Sequence, residues 1–366
     1  MENLVERINQ KYKHIIIRKG NEAVALNIPR ISTEIFELDK ALGGGFPFSK
    51  IHLIYGPPAS LKTTLLLKIA ASAQKYCRYC LKPFFLKNNG QYICKDCKKS
   101  EGMKIFWIDS EHSFDNSWAT KIGVNLDNLW VAQPEYAEEA IDIGKMALYD
   151  GDIDVLVLDS IASLTPTVEI EKDAGDQIYS PGAKIMNRAL RIWNSAILSY
   201  GMDTLKRPTI FLINQIRTDV TKIWGSKEKL PYGEAQNFVC STKLRMNSIP
   251  ESKYIKKDSS EVTYIEGSFK VMKNKSYVPY QEGSFRLFVR PTDIHRVGDT
   301  DDYERVFKYA RDFDVIRKVG SKYLYNDKEY DRLEDLKYDF VKYDKFRKIR
   351  ENVLKEIIGE SRNKQN

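Results

Sequence analysis

The sequence predicts an α/β protein with a mostly parallel central sheet. Short apolar runs alternate with segments of helical periodicity, and three of the runs, residues 104–109, 155–160 and 209–215, carry polar groups where they end. Nearly continuous apolar runs are typical of strands buried on both faces. Polar groups at successive strand ends indicate the carboxyl edge, where such sheets bind ligands.

A phosphate-binding loop is predicted within residues 51–64, which have the sequence IHLIYGPPASLKTT. Here an apolar strand runs into a turn that ends in Lys-Thr and opens a helix. In such a loop the backbone N–H groups surround a polyphosphate, the Lys62 ammonium reaches its β- and γ-phosphates, and the Thr63 hydroxyl binds Mg²⁺. Leu61 stands where the pattern has glycine, so a chance Gly…Lys-Thr is the alternative. The predicted nucleotide contacts are Gly56, Pro57, Pro58, Ala59, Ser60, Leu61, Lys62, Thr63 and Thr64.

Composition describes an ordinary globular chain of 366 residues, 42% apolar and 30% charged. This length accommodates one large core with a smaller appended domain. No apolar run approaches membrane-spanning length, and the first six residues lack a signal-peptide pattern, so a cytosolic location is expected. The net charge of +8 permits a nucleic-acid partner without requiring one.

Four of the five cysteines predict a zinc ribbon. Cys77, Cys80, Cys94 and Cys97 form two C-x-x-C pairs, and the stretch between them contains Asn-Asn-Gly, a hairpin-turn signal. Thiolates at this spacing converge on one tetrahedral Zn²⁺. Disulfides are the alternative, which a reducing cytosol disfavours. Cys240 stands alone and is expected to be a buried apolar residue.

The remaining elements follow in chain order. An amphipathic helix is expected over residues 2–15, and it is too isolated to have a core of its own. Another helix is expected over 63–76, and the cysteine segment follows it as a surface insertion. A short strand over 129–132 and a helix over 137–149 come next. Residues 261–290 predict strands and turns, and residues 303–366 predict a small helix-containing domain.

Polar residues at three strand ends are candidates for catalysis. Asp159 has the context of a carboxylate that holds Mg²⁺ opposite Thr63, although an aspartate that ends a strand is often a helix N-cap. Glu111 is predicted to position and deprotonate an attacking water. Gln215 is predicted to sense the γ-phosphate through its amide.

Four stretches closely resemble, in order and spacing, the bacterial RecA recombinases. These are FWIDSEHSFD at 106–115, VLVLDSIASLTP at 155–166, FLINQIR at 211–217 and VMKNK at 271–275. The resemblance covers the core from about residue 28 to residue 290. It implies a RecA-type phosphate-loop ATPase core, with ATP and Mg²⁺ as ligands and Glu111 as the catalytic carboxylate.

Further roles follow from the resemblance. Asp115 and Trp118 are expected to flank the adenine. Lys273 and Lys275 resemble the pair that reaches the ATP of the adjacent protomer, whereas without the flanking match they would be two solvated lysines. A site completed in this way requires a homo-oligomer, here a helical filament, and the N-terminal helix resembles the segment that packs on the neighbouring subunit.

Two loops are implied to hold single-stranded and double-stranded DNA, the first at residues 169–184 and the second at 217–238. Cations interleaved with aromatic residues suit a single strand, because cations meet phosphates and rings stack on bases. A basic surface loop is otherwise usually only solvated. The candidate contacts are Tyr179, Lys184, Arg191, Arg217, Lys222, Trp224, Lys227, Lys229 and Phe238.

The expected organisation is an oligomerisation helix and linker over residues 1–27, an ATPase core over 28–290 with the ribbon at 77–99, and a C-terminal α+β domain over 291–366. The ribbon departs from ordinary bacterial RecA. It either contacts DNA or a partner through the lysines around it, or only makes a hairpin rigid. The C-terminal tail lacks a strongly acidic run.

These features predict an ATP-dependent recombinase that forms filaments on single-stranded DNA and exchanges strands. A RecA-fold helicase or a recombination mediator without strand exchange is the alternative. A DNA-coating protein that uses ATP only for assembly is a third hypothesis, which Leu61 keeps open.

Overall fold

Helices and strands alternate along the chain in the computed structural model, which describes residues 2–12, 17, 29–86, 92–171, 181–200, 208–218, 228–232, 234–248, 262–292, 295–342 and 346–363. The helices are α1 (Glu2–Tyr12), α2 (Phe36–Leu42), α3 (Lys62–Ala73), α4 (Asn116–Ile122), α5 (Ala137–Asp150), α6 (Thr167–Ile170), α7 (Pro181–Ser199), α8 (Ala235–Val239), α9 (Asp302–Asp312), α10 (Leu333–Lys342) and α11 (Phe346–Asn363). The strands are β1 (Arg30–Ile31), β2 (Phe46–Pro47), β3 (Ile51–Gly56), β4 (Phe85–Leu86), β5 (Tyr92–Ile93), β6 (Ile105–Asp109), β7 (Leu129–Ala132), β8 (Val155–Asp159), β9 (Thr209–Gln215), β10 (Arg217–Thr218), β11 (Glu228–Lys229), β12 (Thr242–Ser248), β13 (Tyr264–Asn274), β14 (Glu282–Phe288), β15 (Arg317–Val319), β16 (Lys322–Tyr325) and β17 (Lys328–Tyr330).

An eight-stranded sheet in the order β14-β13-β12-β3-β9-β8-β6-β7 carries the structure. Strands β12, β3, β9, β8, β6 and β7 pair in parallel, and β13 and β14 extend the sheet antiparallel. The mostly parallel sheet predicted from the sequence is therefore confirmed. Every residue of β3 and β8 is buried, because helices cover both faces of the sheet.

Two apolar cores lie on the two faces of this sheet. On one face α3 packs its Leu65 and Ile69 against the sheet together with Phe211. On the other face α5 and α7 enclose Trp193, whose indole Nε1 donates to the carbonyl oxygen of Ile141 at 3.3 Å. Cys240 belongs to the second core and is fully buried, as expected.

The C-terminal elements have their own core, which contains Phe307, Phe340 and Val353. Strands β15, β16 and β17 form an antiparallel sheet beside the helices, so this region has the α+β composition expected. A buried ion pair ties it to the main core, since Nη2 of Arg350 on α11 lies 2.7 Å from Oδ2 of Asp39 on α2. The boundary at residue 291 stays a prediction.

The N-terminal helix begins as predicted but is described only to Tyr12. Its Leu4 side chain is 51% exposed. An exposed apolar residue on an amphipathic helix leaves a face for a partner to cover. Among the helices of the described ranges, none has the length and apolar character needed to cross a membrane.

Candidate functional site

The phosphate-binding loop joins the end of β3 to the start of α3. Gly56 ends the strand, and a Cβ atom at this position would lie 2.3 Å from the carbonyl oxygen of Met246, so only glycine fits. Ala59 and Leu61 have φ values of 56° and 64°. Left-handed residues within such a turn direct successive N–H groups to one side, which produces an anion-binding concavity.

Leu61 therefore keeps the backbone conformation that glycine normally supplies at this position. The left-handed region is costly for a residue with a Cβ atom. Its side chain packs against the apolar core beside α3, and a Cβ atom added at Gly267 on β13 would lie 3.1 Å from its Cδ1 atom. Apolar packing thus offsets part of the backbone cost.

Lys62 lies against the loop that precedes it. Its Nζ donates to the carbonyl oxygen of Pro57 at 2.7 Å and to Oγ of Ser60 at 3.3 Å. Burial lowers the pKa of Lys62, and the charges of Asp159 and Glu111 oppose that shift. Both carboxylates predicted for the site thus act electrostatically on the ammonium.

Asp159 and Thr63 meet directly, since the Thr63 hydroxyl donates to Oδ2 of Asp159 at 2.8 Å. Burial raises the pKa of Asp159 to about 7, and the nearby charges of Glu111 and Asp109 act in the same direction. The other oxygen, Oδ1, is buried with no hydrogen-bond partner among the described residues. A buried carboxylate with a free oxygen beside a threonine hydroxyl fits a magnesium ion.

Glu111 receives two hydrogen bonds at one oxygen. The Gln215 amide Nε2 donates to Oε1 at 2.9 Å, and the Ser160 hydroxyl donates to the same atom at 2.5 Å. The structure thus brings together the polar groups at the ends of β6, β8 and β9. Their catalytic roles stay predictions.

Two residues that organise this cluster were not predicted from the sequence as site residues. Asp109 accepts hydrogen bonds from the backbone N–H of Phe114 at 2.9 Å and from Nε2 of Gln133 at 2.9 Å, and so shapes the turn that carries Glu111. Ser160 is fully buried. Its position directly after Asp159 was the sequence signal that could have marked it as a site residue. The direction of its hydroxyl depends on the conformation of the turn, so that signal alone was not sufficient.

The predicted adenine contacts lie at the start of α4. Oδ1 of Asp115 caps that helix by accepting from the Trp118 backbone N–H at 3.0 Å. The Trp118 indole Nε1 lies 3.4 Å from the hydroxyl of Thr64 on α3. The ring is therefore beside the phosphate loop, where a base joined to bound phosphates would be within reach.

Lys273 and Lys275 lie toward the amino ends of the parallel strands, at the edge of the sheet opposite the phosphate loop. Lys273 pairs with Lys243, which is level with Leu53 near the amino end of β3. Nζ of Lys273 donates to the carbonyl oxygen of Asn237 at 2.6 Å, and Nζ of Lys275 donates to that of Phe238 at 3.4 Å. Both ammonium groups thus bind the end of α8 rather than the phosphate loop of their own chain.

Among the predicted DNA contacts, Lys184 and Arg191 are exposed on α7. Arg217 and Lys229 are exposed and directly opposite each other in the β10–β11 pair. Phe238 is 74% exposed, and its carbonyl oxygen accepts from Nζ of Lys273 and of Lys275. Four more candidates lie outside the described residues: Tyr179, Lys222, Trp224 and Lys227.

The four cysteines converge on one point. The Sγ atoms of Cys77, Cys80, Cys94 and Cys97 all lie within 4.8 Å of one another, which suits tetrahedral ligation of a metal ion. Cys77 and Cys94 are buried, as ligands of a structural metal usually are.

The two C-x-x-C turns have the same backbone geometry. The N–H of Cys77 donates to the carbonyl oxygen of Lys82 at 2.8 Å, and that of Cys94 donates to Lys99 at 2.9 Å. The residues after the second cysteines, Leu81 and Lys98, both have positive φ, at 54° and 61°. Two equivalent turns that face each other present four sulfurs to one ion, and β4 pairs with β5 as the predicted hairpin between them.

This geometry is that of an α/β protein with a phosphate-binding loop at the carboxyl edge of a mostly parallel sheet and an inserted cysteine cluster. A family model described as the RecA N-terminal domain matches residues 1–84 and 90–291. Protein RecA of Desulfotalea psychrophila is 34% identical over 327 residues, which cover 89% of this chain and 80% of that protein. Protein RecA of Teredinibacter turnerae is 31% identical over 368 residues, which cover 99% of this chain and 94% of that protein.

The chain therefore belongs to the RecA family. Protein RecA of Bacteroides thetaiotaomicron is also similar, with 32% identity over 329 residues, 89% of this chain and 87% of that protein. The resemblance predicted from the four sequence stretches is confirmed.

Proposed function

We propose that this protein is an ATP-dependent homologous recombination protein that forms filaments on single-stranded DNA and exchanges strands with a homologous duplex. The observation that carries this proposal is the hydrogen bond between Glu111 and Gln215 at the edge that also holds Thr63 and Asp159. The segment assigned to DNA begins two residues after Gln215. A change at the phosphate site can therefore move the DNA-binding segment directly.

ATP hydrolysis is the proposed reaction. Thr63 and Asp159 would hold Mg²⁺, which neutralises phosphate charge when it is bound with ATP. The loop N–H groups and Lys62 bind the phosphates, and Trp118 offers a face for the base. Glu111 accepts the proton of the attacking water, and the hydrogen bonds from Ser160 and Gln215 fix its orientation.

Assembly completes this site. Lys275 is level with Ile51. The Lys275 N–H donates to the carbonyl oxygen of Ser241, and the Ser241 N–H donates to the carbonyl oxygen of Ile51. Gly56 at the loop is five residues further along β3, about 16 Å away at the usual rise of a strand. The lysine pair thus serves the ATP of an adjacent copy in a filament, where two cations stabilise the charge of the transferring phosphoryl group.

DNA binds the two loops at residues 169–184 and 217–238. The pairing of Arg217 with Lys229 supports this assignment, because like charges directly opposite in a sheet repel unless an anion lies between them. Backbone phosphates supply that anion. Lys184 and Arg191 add two exposed cations, seven residues apart on one face of α7.

Zinc is the metal proposed for the four cysteines, because four thiolates at this spacing favour it. A DNA contact by the ribbon has less support. Lys82 pairs with Asp96, and the Arg78 side chain is only 9% exposed and pairs with Asp152. A structural role is therefore preferred. We also propose domain boundaries at residues 27 and 291 and a cytosolic location.

The test combines ATP hydrolysis, with and without single-stranded DNA, and strand exchange between a circular single strand and a linear duplex. We expect stimulated hydrolysis and joint molecules, and we expect Lys62→Ala to lose nucleotide-stabilised DNA binding. Stimulated hydrolysis without joint molecules would favour a helicase or mediator. Pairing without hydrolysis would mean that ATP acts only in assembly.

A further inference from the structure

Arg78 connects the cysteine cluster to the central sheet. It lies inside the first C-x-x-C turn, between Cys77 and Cys80. Its Nη1 and Nη2 atoms lie 2.9 and 2.5 Å from the two carboxylate oxygens of Asp152, and its Nε lies 3.2 Å from Oδ2 of Asp154. The guanidinium thus binds both acidic residues that precede β8.

Asp154 joins three strands at their amino ends. Its Oδ2 accepts from the Lys104 N–H at 2.8 Å, and its own N–H donates to the Lys104 carbonyl at 3.0 Å, just before β6. Its carbonyl accepts from the N–H of Thr209, the first residue of β9, at 2.9 Å. Lys104 also binds Asp152 through Nζ at 2.5 Å. One small cluster therefore fixes the starts of β6, β8 and β9.

The opposite ends of these three strands carry the proposed ATPase groups. Strand β6 leads to Glu111, β8 ends in Asp159, and β9 ends in Gln215. The strands are five to seven residues long. Their register is continuous, since Ile105 pairs with Val155 and Val155 pairs with Thr209.

The base of the ribbon is also fitted closely to the core. Cys77 forms a β-bridge with Gly102, and the Arg78 N–H donates to the Glu101 carbonyl at 3.3 Å. A Cβ atom at Gly102 would lie 2.3 Å from the carbonyl oxygen of Gln74. The position of Arg78 is therefore set by the cysteine turn and by both chain segments that enter and leave the ribbon.

We propose that the metal-bound cysteine cluster acts as a clamp that holds the amino ends of β6, β8 and β9 in register through Arg78, and thereby stabilises the strands that carry the ATPase groups. This inference depends on the proposed zinc site. Without the metal, the four cysteine sulfurs are no longer held together by one ion. The turn that holds Arg78 then loses its fixed geometry. Asp154, whose side chain is only 14% exposed, then loses its cationic partner.

The test is amide hydrogen exchange on the full-length protein before and after zinc removal by a chelator. We expect exchange in residues 105–109, 155–159 and 209–215 to become roughly tenfold faster, while β13 and β14 serve as the internal reference. Arg78→Ala should give the same acceleration with zinc still bound, and chelation of that variant should add little, because both changes release one clamp.

Lys82→Ala is the matched control. It removes a salt bridge between Lys82 and Asp96 on the ribbon, where both side chains are well exposed, and should leave exchange in the three strands unchanged. Zinc content measured in each sample separates the proposal of a zinc site from the proposal of the clamp. A protein without zinc would contradict the metal site itself. A zinc-loaded protein whose strands exchange at the same rate after chelation, or whose Arg78→Ala variant matches the wild type, would overturn the clamp.

Discussion

Nε2 of Gln215 donates a hydrogen bond of 2.9 Å to Oε1 of Glu111, across the carboxyl ends of β9 and β6. Gln215 is the last residue of β9, and β10 begins at Arg217. The same side chain therefore touches the proposed catalytic carboxylate and lies next to the segment assigned to DNA.

Gln215→Ala should separate ATP hydrolysis from DNA binding. Removal of the amide leaves Glu111 with the Ser160 hydrogen bond, so we expect hydrolysis without DNA to change only a few-fold. Stimulation by DNA should fall by roughly tenfold or more, because the link to the DNA segment is lost. Phosphate release with and without single-stranded DNA measures this. Gln133→Ala, which removes a hydrogen bond to Asp109 at the same edge, is the control and should keep its stimulation.

Leu61 gives a test of the strained loop. Leu61→Ala removes the packing against the apolar core but keeps a Cβ atom at a φ of 64°, whereas Leu61→Gly removes both the packing and the strain. We therefore expect the glycine variant to be more stable than the alanine variant by about 1 kcal/mol. Urea unfolding without nucleotide measures the difference. An alanine variant as stable as the glycine variant would show that the loop relaxes away from the left-handed conformation.

The pH dependence of stability should report on Asp159. Burial raises its pKa from the ordinary value of 3.8 to about 7, so the native state binds this proton more tightly than the unfolded chain does. The contribution of Asp159 to the free energy of unfolding therefore falls as the pH rises from about 4 to about 7, and is constant above that.

Asp159→Asn removes this titration. We expect the variant to match the wild type near pH 4 and to exceed it by a few kcal/mol at about pH 8, when neither nucleotide nor Mg²⁺ is present. Urea midpoints at a series of pH values test this. Parallel curves for the two proteins would mean that Asp159 is ionised at neutral pH before any metal binds.

Local sequence patterns were sufficient to predict the strands of the core. The apolar runs that became β3, β6, β8 and β9 are buried on both faces, so their composition alone distinguishes them. Polar residues at their ends had to meet, because the carboxyl ends of parallel strands lie on one edge. The spacing of the cysteines fixed their convergence in the same way.

Contacts between distant segments were not predictable from these patterns. The Arg78 bonds to Asp152 and Asp154 join residues about 75 positions apart, and Arg350 reaches Asp39 from the other end of the chain. The position of Lys273 at the opposite edge depends on the register of β12 with β13, which shifts at Lys243 and Leu244. Such register shifts arise from packing between strands, which a single sequence does not specify.

Mixing two inactive variants should test whether the site is shared between protomers. Glu111→Gln removes the proposed base, and we expect a loss of roughly 100-fold or more in hydrolysis. The double variant Lys273→Ala with Lys275→Ala should be similarly inactive, although each of its phosphate sites keeps Glu111. In a mixed filament, some interfaces combine Glu111 from the lysine variant with both lysines from the Glu111→Gln variant.

Random association at equal concentrations makes roughly a quarter of the interfaces complete, so hydrolysis should return to about a quarter of the wild-type rate. DNA-stimulated phosphate release from the mixture measures this recovery. Since Lys273 and Lys275 also bind the carbonyl oxygens at the end of α8, Lys243→Ala is the control for loss of local structure. A mixture no more active than its components, under conditions where the two variants form joint filaments, would place the lysines outside the neighbouring ATP site.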